Sequence, residues 1–264
     1  DIDLTYDIRK LIADLTGGEE CLPGSRSQAA KWTAAVRKRL PEWIASSVKP
    51  VIEAALAREQ LEAHLEIGGE ENDKLLLHYP ALKPSGGYVQ TVVTLEFGGR
   101  ATGEPHQPMP VACDMEGHIE GVLFPTATPM VMSVARTFWE KATAAHVYCA
   151  QGRIRSERYA RHWHDLAAIA RSQHFAEIIA DKTVAMAVAE HKSLFFQEKG
   201  ADGNVVDYKS AVTGNLRIVP EGAACDALRD DYAAMIGDSM MVNDPVEFDL
   251  LMTACAGIQE QANQ

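Results

Sequence analysis

Four carboxylates, Asp1, Asp3, Glu96 and Asp165, and two cations, Lys141 and Arg100, have the types and spacing for chemistry. Asp1 and Asp3 flank one apolar residue in the run Asp1-Ile2-Asp3-Leu4. In a strand, residues two apart point the same way, so both carboxylates project from one face. Carboxylates that close repel each other unless a cation lies between them, and hard oxygen ligands suit Mg2+. The same run also reads as a surface turn with two acids; as a strand, it is expected to turn Ile2 and Leu4 to the core. Glu96 lies in Val92-Val93-Thr94-Leu95-Glu96-Phe97 and shares its face with Val92. A charge on so apolar a sheet surface is costly unless paired or coordinated. The alternative is an edge-strand acid facing solvent. Gly98-Gly99-Arg100 follows and leaves room for backbone to approach a ligand.

Lys141 is the first cation. Thr137-Phe138-Trp139-Glu140 has the capping-box form, which predicts a helix from about Phe138 with Glu140 and Lys141 in its first turn. A Lys there runs against the helix dipole. It either supplements the free backbone N–H groups in binding a phosphate or is a solvated surface side chain. Arg158, Arg161, His162 and Asp165 recur at helical spacings, and Asp165 can pair with Arg161 within the helix. His162 and His164, two apart, diverge on a helix and make a poor chelating pair. Two basic stretches, Arg153 to Arg161 and Arg26 to Arg39, read either as solvated faces or as phosphate contacts. The chain contains no GxSxG, no GxxxxGK[ST] and no GxGxxG.

These residues need elements to hold them. Ala29, Trp32, Val36 and Leu40, then Ile44, Val48 and Ile52, recur at three- and four-residue steps and predict helix over Arg26 to Arg58. Pro41 falls between two stretches, and Pro50 starts or kinks the second. Leu61 to Ile67, Asp73 to Tyr79 and Val89 to Phe97 read as strands, and their short connections favour an antiparallel meander. In the third, Val93, Leu95 and Phe97 share one face and Val92, Thr94 and Glu96 the other. Five of the twelve prolines lie between Gly98 and Pro129, which marks the expected connector. Helices are predicted beyond it over Ser156 to Arg171, Ala176 to Leu194, Ala223 to Ile236 and Pro245 to Gln261, with a turn or short hairpin at Asp202-Gly203-Asn204. The expected organisation is α+β. A small mixed or antiparallel sheet with helices spans residues 1–125, its N-terminal part expected to be missing, and a mostly helical unit spans 126–264.

Composition narrows the function. The 264 residues carry 25 Lys+Arg against 37 Asp+Glu, a formal charge of −12. That argues against coating nucleic acid electrostatically, although a local basic patch can still hold one. Apolar stretches are too short to span a membrane. The five cysteines are widely spaced, without a CxxC pair, which fits a reducing cytoplasm rather than a disulfide framework. No signal peptide is read ahead of Asp1.

Taken together, the segments resemble the nucleotidyl transferase AbiEii/AbiGii toxin family, within the DNA polymerase β-like nucleotidyltransferases. The matching stretches are Asp1-Ile2-Asp3-Leu4, Leu95-Glu96-Phe97-Gly98-Gly99-Arg100, Arg136-Thr137-Phe138-Trp139-Glu140-Lys141-Ala142 and Arg161-His162-Trp163-His164-Asp165-Leu166-Ala167. The resemblance covers essentially the whole chain, and the last two stretches are its most specific parts. It implies that Asp1, Asp3 and Glu96 bind Mg2+, with Mn2+ as a substitute. Lys141 and Arg100 would bind the nucleotide, with Lys141 on the triphosphate. Asp1, Asp3, Lys141 and Asp165 would be the catalytic set, Asp165 positioning the site or its proton traffic.

The implied reaction moves a nucleoside monophosphate from an NTP to an acceptor, with tRNA or other RNA favoured. The implied setting is the toxin of a bacterial toxin–antitoxin or abortive-infection pair, with a cognate antitoxin as partner, often a winged-helix regulator. Two departures stand out. The family places a helix and a Gly-rich phosphate-gripping turn upstream of the Asp-x-Asp, and that element is expected to be lost from a truncated chain. His164 stands where an aromatic such as Tyr is expected. Rival readings are nucleotidylation of a protein hydroxyl by the same site, and an inactive partner-binding module.

Overall fold

A computed structural model describes residues 2–80, 92–153, 158–238 and 245–264. The chain opens with strand β1 (Ile2–Thr5), short helices α1 (Ile8–Leu11) and α2 (Ala13–Thr16), and the long helix α3 (Arg26–Trp43). Ser25 caps α3, its Oγ accepting from Gln28 N. A π-helical turn (Ile44–Val48) joins α3 to α4 (Lys49–Arg58). Pro41, expected between two stretches, lies inside α3. Widening instead comes just before Pro50, which has no N–H to give to the helical ladder.

Strands β2 (His64–Gly68), β3 (Lys74–His78) and β4 (Val92–Gly98) follow. They form the expected antiparallel meander, and β1 adds to it in parallel, giving the order β1-β4-β3-β2. Register fixes two faces. Leu65, Leu75 and Phe97 face α3 and the π-helical turn after it, where Trp32, Val36, Leu40 and Ile44 repeat every fourth residue and close the first core. The opposite face carries Asp3, Glu96 and Lys74 in one cross-strand row. Ile2 and Leu4 correct the expectation that both are core residues, since they are 49% and 36% exposed on an edge strand.

The proline-rich segment carries secondary structure of its own. It forms an arm whose strands β5 (His106–Pro108) and β6 (Met130–Met132) pair antiparallel. Helices then dominate: α5 (Val134–Gln151), α6 (Arg161–Ala170), α7 (Phe175–Ala180), α8 (Thr183–Phe195), α9 (Tyr208–Val212), α10 (Ala223–Gly237) and α11 (Phe248–Ala262). The helix read over Ala176 to Leu194 is two, divided at Asp181 and Lys182, where Asp181 accepts from Thr183 N and restarts the chain. The short α9 went unpredicted. Its Asp207 accepts from Ser210 N, a cap within a stretch too brief to show periodicity.

A second core joins Phe138, Trp139, Trp163, Leu166, Val188, Leu228, Tyr232, Leu251 and Cys255. Helix α8 links the two cores: Val188 and Ala189 pack in the second, and Phe195 packs against the first. Among the described residues no helix is long and apolar enough to cross a membrane.

Candidate functional site

The first pair comes from strand register. Asp3 on β1 and Glu96 on β4 are direct partners in parallel strands, so their side chains leave the same face side by side. The core row behind them, Leu95 and Phe97 on β4, holds this face outward. On the other side of Glu96, β3 places Lys74, whose Nζ lies 3.0 Å from Glu96 Oε2. This ammonium offsets part of the charge that two adjacent carboxylates would otherwise concentrate. Asp1 lies outside the described residues. Among those described, no group of three or more His, Cys, Asp or Glu is arranged to hold a metal. Asp3 and Glu96 are nonetheless an all-oxygen, anionic pair, the donor chemistry that suits a hard divalent cation.

The second pair comes from helix packing. Lys141 Nζ on α5 lies 2.7 Å from Asp165 Oδ2 on α6. Successive helix residues are about 100° apart. Phe138 and Trp139 therefore enter the core while Lys141 emerges toward α6; Trp163 likewise anchors α6 and Asp165 emerges. Two sequence expectations are corrected here. Asp165 pairs with Lys141 rather than with Arg161, because α5 packs against α6 closely enough to offer a better-placed cation. Lys141 is not in a first turn: Ser133, not Thr137, caps α5, its Oγ accepting from Arg136 N. Lys141 therefore stands two turns in, where the backbone N–H groups are already engaged in the helix.

Arg158 also leaves the predicted stripe. It has a positive φ of 62° and precedes α6, and its N–H donates to Asp231 Oδ1 at 2.8 Å. Arg155 lies outside the described residues. His162, beside Lys141 and Arg161, has its pKa pushed down to about 4, mostly by burial, so it is neutral.

Arg100 follows β4 and makes no ion pair among the described residues. Its guanidinium lies 4.2 Å from the Phe196 ring centroid, and its carbonyl is 2.8 Å from His191 Nε2. Burial, with Arg37 nearby, lowers its pKa. It lines a cavity of about 50 Å3 with Arg37, Glu71 and Asp73, too small for a nucleotide, which needs several hundred Å3. A cleft of about 560 Å3 lies elsewhere, lined by His146, Asp202, Asp207 and Arg217, and contains none of the candidate residues.

Sequence reasoning missed the charged chain that ties the sheet to the helices. Arg9 bridges Asp7 and Glu104, at 2.7 and 2.8 Å. Arg136 donates to the Glu104 carbonyl and reaches Glu140 at 3.3 Å. Lys192 on α8 completes Glu140 from the other side, at 3.1 Å to its carboxylate and 2.9 Å to its carbonyl. Burial lowers the Lys192 pKa, opposed by Glu140. The network therefore ends at the residue preceding Lys141. Its only sequence signal was the i,i+4 spacing of Arg136 and Glu140; the long-range partners left none.

The molecule is thus a mixed α+β protein with an in-register carboxylate pair on an open sheet face and a Lys–Asp pair between two packed helices. Residues 1–254 match the family model described as nucleotidyl transferase AbiEii toxin, type IV TA system, and the chain belongs to that family. Comparison with curated proteins and with solved structures gave no match.

Proposed function

We propose that the chain is a Mg2+-dependent nucleotidyltransferase that moves a nucleoside monophosphate from an NTP to an RNA acceptor, with tRNA favoured, as the toxin of a cytoplasmic toxin–antitoxin pair. Family membership supports the reaction class. The observation that carries the site is the register of Asp3 against Glu96 across parallel strands. These two residues, with Asp1, would hold the cation, Mn2+ serving in place of Mg2+. When bound, the cation supplies charge neutralisation at the phosphates and acidifies the acceptor hydroxyl.

The chain's own residues bind and orient. Lys141 contacts the triphosphate and stabilises charge on the departing pyrophosphate. Asp165 fixes the Lys141 ammonium in place. Arg100, without a carboxylate partner among the described residues, would be the second nucleotide-binding cation, contacting a phosphate, since the cavity it lines is too small to enclose a nucleotide. In the reaction the acceptor oxygen bonds to the α-phosphorus as the bond to pyrophosphate breaks, and the hydroxyl proton is released.

The test supplies each α-labelled NTP with Mg2+, total tRNA and a protein mixture. Label in RNA that disappears in Asp3→Ala is expected. Label in protein alone would move the reaction to the protein-hydroxyl reading, and no label in either would leave a partner-binding module.

A further inference from the structure

The arm at residues 104–131 has no role in the proposed chemistry, and its surface is unusual for a monomer. Every residue there except Phe124 is exposed. Apolar side chains are concentrated in it, among them Met109, Val111, Val122, Met130 and Val131, with Leu123 at 99% exposure. Register organises part of this set. Gln107 pairs with Val131, Met109 N donates to the Pro129 carbonyl, and Val111 and Ala127 exchange both backbone hydrogen bonds. Val131, Met109, Pro129, Val111 and Ala127 therefore form one apolar stripe along one face of the ribbon.

A two-stranded ribbon on its own is only marginally stable in water, and an apolar surface of this extent marks an interaction site. Charge selects the occupant. Between Arg100 and Arg136 the sequence contains no Lys or Arg, but it contains Glu104, Asp114, Glu116 and Glu120. RNA and anionic membranes are repelled by such a segment. A second copy brings the same acids, on a chain of net charge −12.

We propose that the arm is a docking element for a partner protein whose receiving face is apolar and ringed by Lys and Arg. The stripe supplies the contact area, and the acids at the tip set orientation and on-rate. The proposal is independent of the nucleotidyltransferase reading, since none of the candidate site residues lies in the arm.

The experiment uses the full chain and a fluorescein-labelled amphipathic Lys–Leu peptide as a model of that face. Its Glu–Leu counterpart, a single-stranded RNA and zwitterionic vesicles are the competing probes. The Lys–Leu peptide is expected to slow hydrogen exchange at Met109, Val111 and Ala127. Its affinity is expected to fall at least tenfold in Met109→Ser/Val111→Ser/Val131→Ser, and again in Asp114→Asn/Glu116→Gln/Glu120→Gln. Unchanged affinity in the triple-serine variant, or protection confined to other segments, would overturn the proposal. So would arm protection by RNA or vesicles instead of the peptide. A dimer in sedimentation that the triple-serine variant abolishes would assign the arm to a second copy.

Discussion

Lys141 and Asp165, twenty-four positions apart in sequence, meet at 2.7 Å between α5 and α6 while Phe138, Trp139 and Trp163 from the same two helices lie wholly buried beneath them. The pair is held by the core but is itself partly exposed, so its charges remain accessible to a ligand.

This separation of support from chemistry makes a prediction about Lys141→Ala and Asp165→Asn. Partly exposed ion pairs contribute about 0–1 kcal/mol, so the urea midpoint should barely move. Removing a cation that stabilises developing charge costs about 100-fold or more in rate. Unfolding curves and label transfer on the same preparations check both halves. A variant that transfers at the normal rate would remove Lys141 or Asp165 from the site.

Lys74 already neutralises Glu96, so it competes with any cation bound there. Replacing it in Lys74→Met should tighten Mg2+ binding by roughly fivefold, the equivalent of about 1 kcal/mol for a partly exposed pair. Glu96→Gln should weaken binding in the same titration calorimetry. Equal affinity in Lys74→Met and wild type would argue that the cation does not touch Glu96.

Stability should fall in mild acid because of His146 and His162. Burial, with Arg217 near His146 and with Lys141 and Arg161 near His162, pushes both pKa values down to about 4. The unfolded value is near 6.5. Between these limits the unfolded chain takes up protons that the folded chain refuses, so stability is complete above about pH 6.5 and declines toward pH 4. Each histidine contributes at most about 3 kcal/mol. Urea midpoints should be lower at pH 5 than at pH 7.5, and His162→Gln should narrow the difference. A midpoint independent of pH would contradict the buried neutral state.

Arg136 is the buried joint of the charged chain, touching the Glu104 carbonyl and Glu140. Arg136→Ala should destabilise the protein by about 3 kcal/mol, since it removes a buried guanidinium that serves both the Glu104 carbonyl and Glu140. Lys192→Met should act through the same Glu140, so the double variant should cost less than the sum of the two. Denaturation of the two single variants and the double one measures that coupling, and strict additivity would show that the contacts are independent.

Local pattern alone announced much of the architecture. The meander was legible because Val93, Leu95 and Phe97 alternate cleanly, and α3 because Trp32, Val36 and Leu40 repeat at helical spacing. The start of α5 was misread because Thr137 and Glu140 satisfy the capping-box pattern. Ser133, four residues earlier, caps the helix instead. The pairing within the proline-rich arm was not legible, because it joins residues about twenty apart, which no short window reveals.

By itself, then, the sequence determined the periodic elements, the apolar faces that bury them and the presence of acids and cations in family order. Those follow from side-chain type and spacing, which act locally. Tertiary structure alone decided the partners: Glu96 beside Asp3 and Lys74, Asp165 on Lys141 rather than Arg161, and Glu140 between Arg136 and Lys192. Charge attraction in water is too weak and unspecific to select among many candidates along a chain. The selection is made by strand register and helix packing, which the buried apolar residues fix first.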